Sequence, residues 1–267
     1  MELMSFIVVT VAAFLAAGLT MYSGFGLGTL MLPVFALFLP VEMAVVATAL
    51  VHGANNVFKV SLLGRHADLE VVLKFGLTAI VAAVFGAMAL AYLVRLDVSL
   101  NLNVNDIPVS RVTPEKAAVG LLMIFFALFD LLPVFRKMEF KRRWLPLGGL
   151  LSGFFGGLSG HQGALRSAFL AKSGLGTDQF VGSNAVIGFL VDLTRITVYL
   201  GLFVAAGVHG DVTYENIWPL VIAGSLAAFC GVLLGKRYLH KVTMRSVRTL
   251  VGILLFAVGL ALLLGVL

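Results

Sequence analysis

The chain is poor in charge, almost without cysteine, and lacks any long polar stretch. Each shortage excludes something. Charged residues make up 12% of the 267, 60% are hydrophobic, and the mean hydropathy is +1.06. Soluble domains carry roughly 25% charged residues, so a water-soluble fold is excluded and an integral membrane protein is expected. The single cysteine, Cys230, can form neither an internal disulfide nor a CxxC redox pair. No GxxxxGK[ST] phosphate loop occurs, so ATP is not expected to power transport from within this chain. Met1-Glu2-Leu3 precedes the first apolar run without a basic segment, which argues against a cleaved signal peptide. A net charge of +6 would suggest nucleic acid in a soluble protein. In a membrane protein basic residues first report topology, and no nucleic-acid partner is expected.

Apolar segments recur from Leu3 to Leu267, within one membrane domain, 1–267. A full span needs about 20 residues. Leu27–Leu39, Leu145–Phe155 and Ala164–Ala171 are shorter and read as half-helices or arms of a hairpin. Residues 1–135 and 144–267 resemble each other in segment order. "SGFGLGTL" at Ser23–Leu30 aligns with "LSGHQGAL" at Leu158–Leu165, and "VVATALVHGANNVFKV" at Val45–Val60 with "FVGSNAVIGFLVDLTR" at Phe180–Arg195. "RHADL" at Arg65–Leu69 aligns with "VHGDV" at Val208–Val212, completing an internal repeat.

Charge placement orients the halves. The basic loops 136–143 and 236–248 should be cytoplasmic. Val208–Glu215, without Lys or Arg, and the Asn-rich Arg95–Lys116 loop should be outside. An even number of crossings must separate the two basic loops, so Leu145–Ala171 should dip in and return. The same rule puts Arg65 inside, opposite to its counterpart. The expected architecture is an all-α integral membrane protein of two inverted repeats, each a re-entrant helical hairpin plus three transmembrane helices. Eight simple spans with parallel halves is the alternative. Multi-pass insertion in the inner (plasma) membrane follows, and a homodimer is left open.

Inverted repeats place a binding site near mid-membrane, at interrupted helices. Gly24, Gly26 and Gly28 supply permissive dihedrals at the first interruption; Gly156, Gly157, Gly160 and Gly163 do so at the second. A helix starting after such a turn aims free N–H groups and its positive dipole end at the cavity, a ready anion site. Glycine also permits close packing, and Gly149-Gly153-Gly157 and Ala227-Gly231-Gly235 have small-xxx-small spacing.

Lys59, Arg166, Asp192 and Arg195 lie in or near apolar segments, where each costs roughly 2.5–3.5 kcal/mol at mid-membrane. Asp192 and Arg195 are three apart and could pair. Lys59 and Arg166 then have no obvious anionic partner, because Asp130 is too near the cytoplasmic end of its span. A cavity with surplus positive charge suits an anion. Lys59 could instead snorkel to the nearby loop. Arg166, in the first turn of the second hairpin arm, opposes the helix dipole unless an anion offsets both. Asn55, Asn56, Ser183 and Asn184 are uncharged oxyanion donors. His161 and Gln162 sit at the turn tip, and His161 could donate to the anion or carry a proton; Asp192 is the other proton candidate. His52 reads as a packed residue, and His66, His209 and His240 as solvated in loops. No cofactor and no metal site is expected.

The ordered set "SGFGLGTLMLP", "AVVATALVHGANN" and "RHADLEVVLK", echoed by "GFFGGLSGHQGAL", "DQFVGSNAVIGFLVD" and "GDVTYENIWPLVIAG", resembles the sulfite exporter TauE/SafE family, also called the 4-toluenesulfonate uptake permease family. The resemblance covers nearly the whole chain. It implies a secondary carrier of small oxyanions such as sulfite, sulfonates or sulfoacetate, with the Gly24–Gly28 and Ser159–Gly163 turns lining the substrate site. His161 and Gln162 stand where the family pattern has small residues, and should narrow that pocket or change its chemistry.

The expectation is therefore an alternating-access carrier, not an enzyme. Substrate contacts are expected from Gly24, Gly26, Gly28, Asn55, Asn56, Lys59, Ser159, Gly160, His161, Gln162, Gly163, Arg166, Asn184, Asp192 and Arg195. A transition-metal carrier with ligands His52, His161 and Asp192 is one rival, although surplus cations disfavour a metal. A membrane-embedded enzyme around Ser159, "GHQG" and Arg166 is the other, although no Ser-His-Asp, HExxH or paired-carboxylate motif supports it.

Overall fold

The computed structural model describes residues 3–20, 27–104, 107–132, 134, 140–171, 173–205, 217–238 and 244–267. Ten α-helices lie among them. They are α1 Leu3–Leu19, α2 Leu27–Ala36, α3 Val41–Leu63, α4 Leu69–Arg95, α5 Pro114–Leu131, α6 Leu145–Ser159, α7 Gly163–Leu170, α8 Thr177–Ala205, α9 Trp218–Tyr238 and α10 Met244–Leu263. The Arg95–Lys116 loop is not irregular. Leu100–Val104 (β1) and Ile107–Val112 (β2) pair antiparallel, with Leu100 opposite Val112. Leu and Asn alternate along β1, the period-two pattern of a strand.

The spans at Val41–His66, Leu69–Arg95, Thr177–Gly201 and Trp218–Gly235 are long and apolar enough to cross a membrane. Among the described residues the fold is all-α apart from that strand pair, and the chain is a multi-pass membrane protein. Helix α4 displays the inverted amphipathicity that lipid requires. Its outward stripe is large and apolar, with Leu73, Leu77, Val81, Phe85 and Met88 all exposed, whereas its buried face is small: Ala79, Ala82, Ala83, Gly86 and Ala87. Lipid gives no hydrophobic drive for helices to associate, so close packing of small residues has to supply it.

Glycines mark where backbones touch. A Cβ on Gly149, Gly153 or Gly157 of α6 would overlap the α4 backbone at Phe75, Ala79 or Ala83 respectively, and one on Gly86 would overlap α6 at Phe154. The numbering rises together on both helices, so α4 and α6 run parallel. Helices α1 and α9 are packed the same way, with Gly231 against the backbone at Phe14 and Gly235 against Gly18. Helices α3 and α8 run antiparallel: Gly182 meets Leu63, Gly188 meets Asn56, and Gly53 meets Asp192. In the antiparallel α5–α10 pair, Gly120 faces the Gly259 carbonyl and Gly259 faces the Gly120 carbonyl.

Helix α6 ends at Gly160, whose φ of 84° lies in the left-handed region that glycine favours and whose N–H closes on Gly156 O at 2.9 Å. Helix α7 then returns. Arg142, just before α6, donates from Nη1 to Ser173 O, just after α7, at 3.1 Å. The two arms therefore open on one side of the molecule, beside the start of α4. The turn between them lies level with Ala83–Gly86, near the middle of a 27-residue helix about 40 Å long.

Arg142 also holds that side together, through Nη2 to Glu70 at 2.7 Å and to both Asp68 carboxylate oxygens at 3.2 Å. Asp68 caps α4, accepting from Val71 N–H at 2.9 Å. That N–H, and the neighbouring Arg142 guanidinium, hold the Asp68 carboxyl below the usual carboxylate range. A carboxylate whose folded value is depressed adds stability above its unfolded value, about 3.9, and loses it as the pH falls further. Asp68→Asn, which keeps a cap, is therefore expected to flatten the loss of stability below about pH 4, read by thermal unfolding in detergent. Gly153→Val is expected to destabilise by about 1–3 kcal/mol or more through overpacking on α4, read as a lower midpoint in the same assay; an unchanged midpoint would contradict the packing described.

Candidate functional site

Helices α3 and α8 turn polar stripes toward each other. Thr48, His52, Asn55, Asn56 and Lys59 recur at helical spacing on α3, and Asn184, Asp192 and Arg195 on α8. The Gln162 and Arg166 side chains enter from the turn and α7. His52, Asn55, Asn56, Lys59, Gln162, Arg166, Asn184, Asp192 and Arg195 are all buried; Lys59 and Asn184, the most accessible, are each 7% exposed.

The Asp192 carboxylate is the hub. Its Oδ2 accepts from His52 Nδ1 at 2.6 Å and Asn56 Nδ2 at 2.8 Å. Its Oδ1 accepts from Gln162 Nε2 at 3.0 Å, Arg195 Nε at 3.0 Å and Arg195 Nη2 at 2.8 Å. The i,i+3 pair suggested by spacing is thus formed, and it is wholly buried. Arg195 Nη1 reaches back to Gly156 O in the hairpin at 3.3 Å. Tyr199, one turn further along α8, donates its hydroxyl to Gly157 O. Five donors leave Asp192 no capacity for a further ligand.

Gln162 joins this hub to a second centre. Its Oε1 accepts from Arg166 Nη1 at 2.8 Å, and Arg166 Nε donates to Asn184 Oδ1. Among the described residues no carboxylate lies at ion-pair distance from Arg166, and Lys59 has no hydrogen-bond or ion-pair partner. Lys59 is largely buried and lies within electrostatic range of Arg166. The sealed cluster on α3, α7 and α8 therefore holds three cations against one carboxylate.

The turn completes the site. Ser159 Oγ lies 2.9 Å from His161 Nδ1, and the His161 ring stacks on Phe126 of α5 with centroids 5.1 Å apart. His161 is thereby held apart from the Asp192 hub. A Cβ on Gly28 would lie 3.4 Å from Gly160 O and 3.6 Å from the His52 ring, so the start of α2 meets the α6–α7 turn. Gly24 and Gly26 lie outside the described residues. Gly163 opens α7, whose N-cap residue, Gln162, makes no side-chain cap. Several buried polar atoms around these tips lack partners among the described residues: both Asn55 amide atoms, His161 Nε2, and the hydroxyls of Thr29, Thr48 and Ser167. Each such group costs about 1–3 kcal/mol if left unsatisfied, and each is free to bind something else.

Three placements differ from the sequence reading. His52 is not merely packed; it is an Asp192 ligand. Ser183 does not face the cluster with a free hydroxyl but accepts from Asp68 N–H at 2.9 Å. Thr29, Thr48, Ser167 and Tyr199 have no part in the sequence reading. Only the spacing of Thr48 from His52 and Lys59 could have singled one of them out.

A buried, cation-rich cluster between apolar helices, two of them long enough to cross a membrane, is consistent with the class of multi-pass membrane transporters. The sequence profile of the sulfite exporter TauE/SafE family matches residues 9–262, nearly the whole chain, and the chain belongs to that family. It is a transporter family for sulfite- and sulfonate-type anions. A comparison with curated proteins found no match.

Asp192→Asn removes the charge on which Arg195 depends. Leaving a buried partner unpaired costs about 3–5 kcal/mol, so this variant should unfold at clearly lower temperature in detergent than wild type. A wild-type midpoint would show that the hub does not hold α3, α8 and the turn together.

Proposed function

We propose that the protein is a secondary carrier of a small oxyanion, namely sulfite, a sulfonate or a related organic anion, working by alternating access. The observation that carries this reading is the pair of buried cations, Lys59 and Arg166, with no carboxylate on either among the described residues. Uncompensated buried charge is too costly to keep for packing alone. A bound anion would offset it, and the Asn55 amide and the Thr29 and Ser167 hydroxyls are buried without partners among the described residues. The start of α7, without a side-chain cap, would add N–H groups and the positive end of its dipole. Asp192 and Arg195, saturated by one another and by the turn, act behind the anion by fixing Gln162 and the hairpin.

The architecture we infer is two inverted repeats, 1–135 and 144–267, each a re-entrant hairpin and three spans. Exchange of the halves maps the α1–α9 contact onto α6–α4, and maps the α3–α8 and α5–α10 contacts onto themselves. The mutual Gly120–Gly259 contact is what a local two-fold axis would produce. The Arg142–Ser173 bond across the mouth of the second hairpin, and its tip level with mid-α4, support re-entry. Basic residues in 136–143 and 236–248 support a cytoplasmic location for those loops in the inner membrane.

The metal-carrier reading has less support. His52 and Asp192 are bonded to each other with Arg195 on the same carboxylate, and His161 is stacked on Phe126. The enzyme reading would need a third group behind the Ser159–His161 contact, and His161 Nε2 has no partner among the described residues.

In proteoliposomes, Arg166→Gln is expected to reduce flux of sulfite and of alkyl sulfonates at least about thirtyfold, the loss of a buried charged partner being worth about 2–5 kcal/mol. It should leave the yield of monodisperse protein unchanged. Wild-type flux in this variant would remove Arg166 from the mechanism.

A further inference from the structure

The Asp192 hub is more elaborate than positioning Arg195 requires. Arg195 alone could fix that carboxylate, yet an imidazole and two amides are also aimed at it. One of those amides, Gln162, is shared end to end with Arg166, where the anion is proposed to bind. Of the two buried histidines at the site, His161 is stacked on Phe126 with Ser159 at Nδ1. Only His52 touches a carboxylate.

We infer that His52, held on Asp192, is the binding site of a second ligand, the proton, and that Gln162 links it to the anion at Arg166, so that anion and proton cross the membrane together. Nδ1–H of His52 stays on Asp192 Oδ2, and Nε2 takes one proton from water when the site is open. The bond formed is N–H, nothing is oxidised or reduced, and the same proton leaves to water on the far side.

The coupling is electrostatic and mechanical. The charged groups facing the imidazole are Asp192 and Arg195 from α8 and Arg166 from α7. Lys59 follows two turns along α3 itself. Helix α2 carries no titratable residue, those of α5 (Glu115, Lys116 and Asp130) lie at its ends, and Cys230 of α9 is exposed. With the anion absent, Arg166 and Arg195 repel a second positive charge on His52. An anion on Arg166 cancels one of those charges and competes for the guanidinium that Gln162 holds, which alters the pull of Gln162 on Asp192. Anion binding therefore favours protonation, and by linkage protonation favours the anion by the same factor. His161, by contrast, is left to contact the anion without carrying the proton.

The inference rests on the anion-carrier reading, and the test separates the two. Methanesulfonate and thiosulfate carry no titratable proton near neutral pH; whichever exchanges faster across wild-type proteoliposomes is the probe. Purified wild-type protein in weakly buffered solution with a pH indicator should take up close to one proton per probe anion bound. Its affinity for the probe should be on the order of a hundredfold tighter at pH 6 than at pH 8, as one proton per anion over two pH units requires. In proteoliposomes an acid-outside gradient should drive accumulation by the wild type. In His52→Gln the ratio of gradient-driven accumulation to exchange at equal pH should collapse, and probe binding should become independent of pH. Gln162→Leu should lower the number of protons taken up per anion bound, a ratio that a purely structural loss of sites would not move. Gradient-driven accumulation surviving in His52→Gln would overturn the proposal. So would anion binding by the wild type without proton uptake, a measurement that needs no variant to fold. Failure of the wild type to exchange either probe would overturn the anion reading and this inference with it.

Discussion

One carboxylate in a dry interior sets the terms for the rest of the structure. Asp192 cannot stay ionised there without donors on every side, and the fold provides them from three places: His52 and Asn56 on α3, Arg195 on α8 itself, and Gln162 on the turn between α6 and α7. Satisfying Asp192 thereby fixes how α3 and α8 face each other and where the α6–α7 turn sits between them. Arg195 and Tyr199 carry the same constraint into the hairpin backbone at Gly156 and Gly157. Those glycines stand against Gln162 and the α4 backbone, where any side chain would collide. Electrostatic demand at the centre and close packing at the periphery thus act on one short stretch of chain.

Arg166 and Lys59 stand in contrast. The fold gives the first only neutral partners and the second none among the described residues. The two arrangements sit within one side chain of each other, joined by Gln162. An interior that pairs one guanidinium directly with a carboxylate and gives the next only neutral partners would suit an anion that arrives from outside. The proposed oxyanion and proton are two readings of that same asymmetry.

Much of this was legible in the sequence because lipid leaves few alternatives. The four long spans follow from hydropathy and length, and α2 and α7 betrayed themselves by being too short. The Asp192–Arg195 pair follows from i,i+3 spacing, and the Gly149-Gly153-Gly157 stripe from the periodicity of close contacts. What was not legible depended on distant partners. His52 looks like any histidine on an apolar helix, because the carboxylate it meets is 140 residues away. Ser183 resembles an oxyanion donor until the Asp68 backbone comes to it. The β-hairpin was hidden by an Asn-rich composition that masks the alternation in Leu100–Val104. The family resemblance singled out the two glycine turns but could not show that Gln162 bridges the two charge centres.

The way early and late helices interlock bears on how the protein is made. Helix α6 rests on α4, which is already synthesised when α6 emerges. Helix α1 rests on α9, which leaves the ribosome roughly two hundred residues later. Throughout that interval the Phe14–Gly18 surface must wait in the bilayer, uncovered or in the care of an insertion factor. A late stage of biogenesis is then the closing of α1 against a late-arriving helix, and α1 cannot complete its own packing without it.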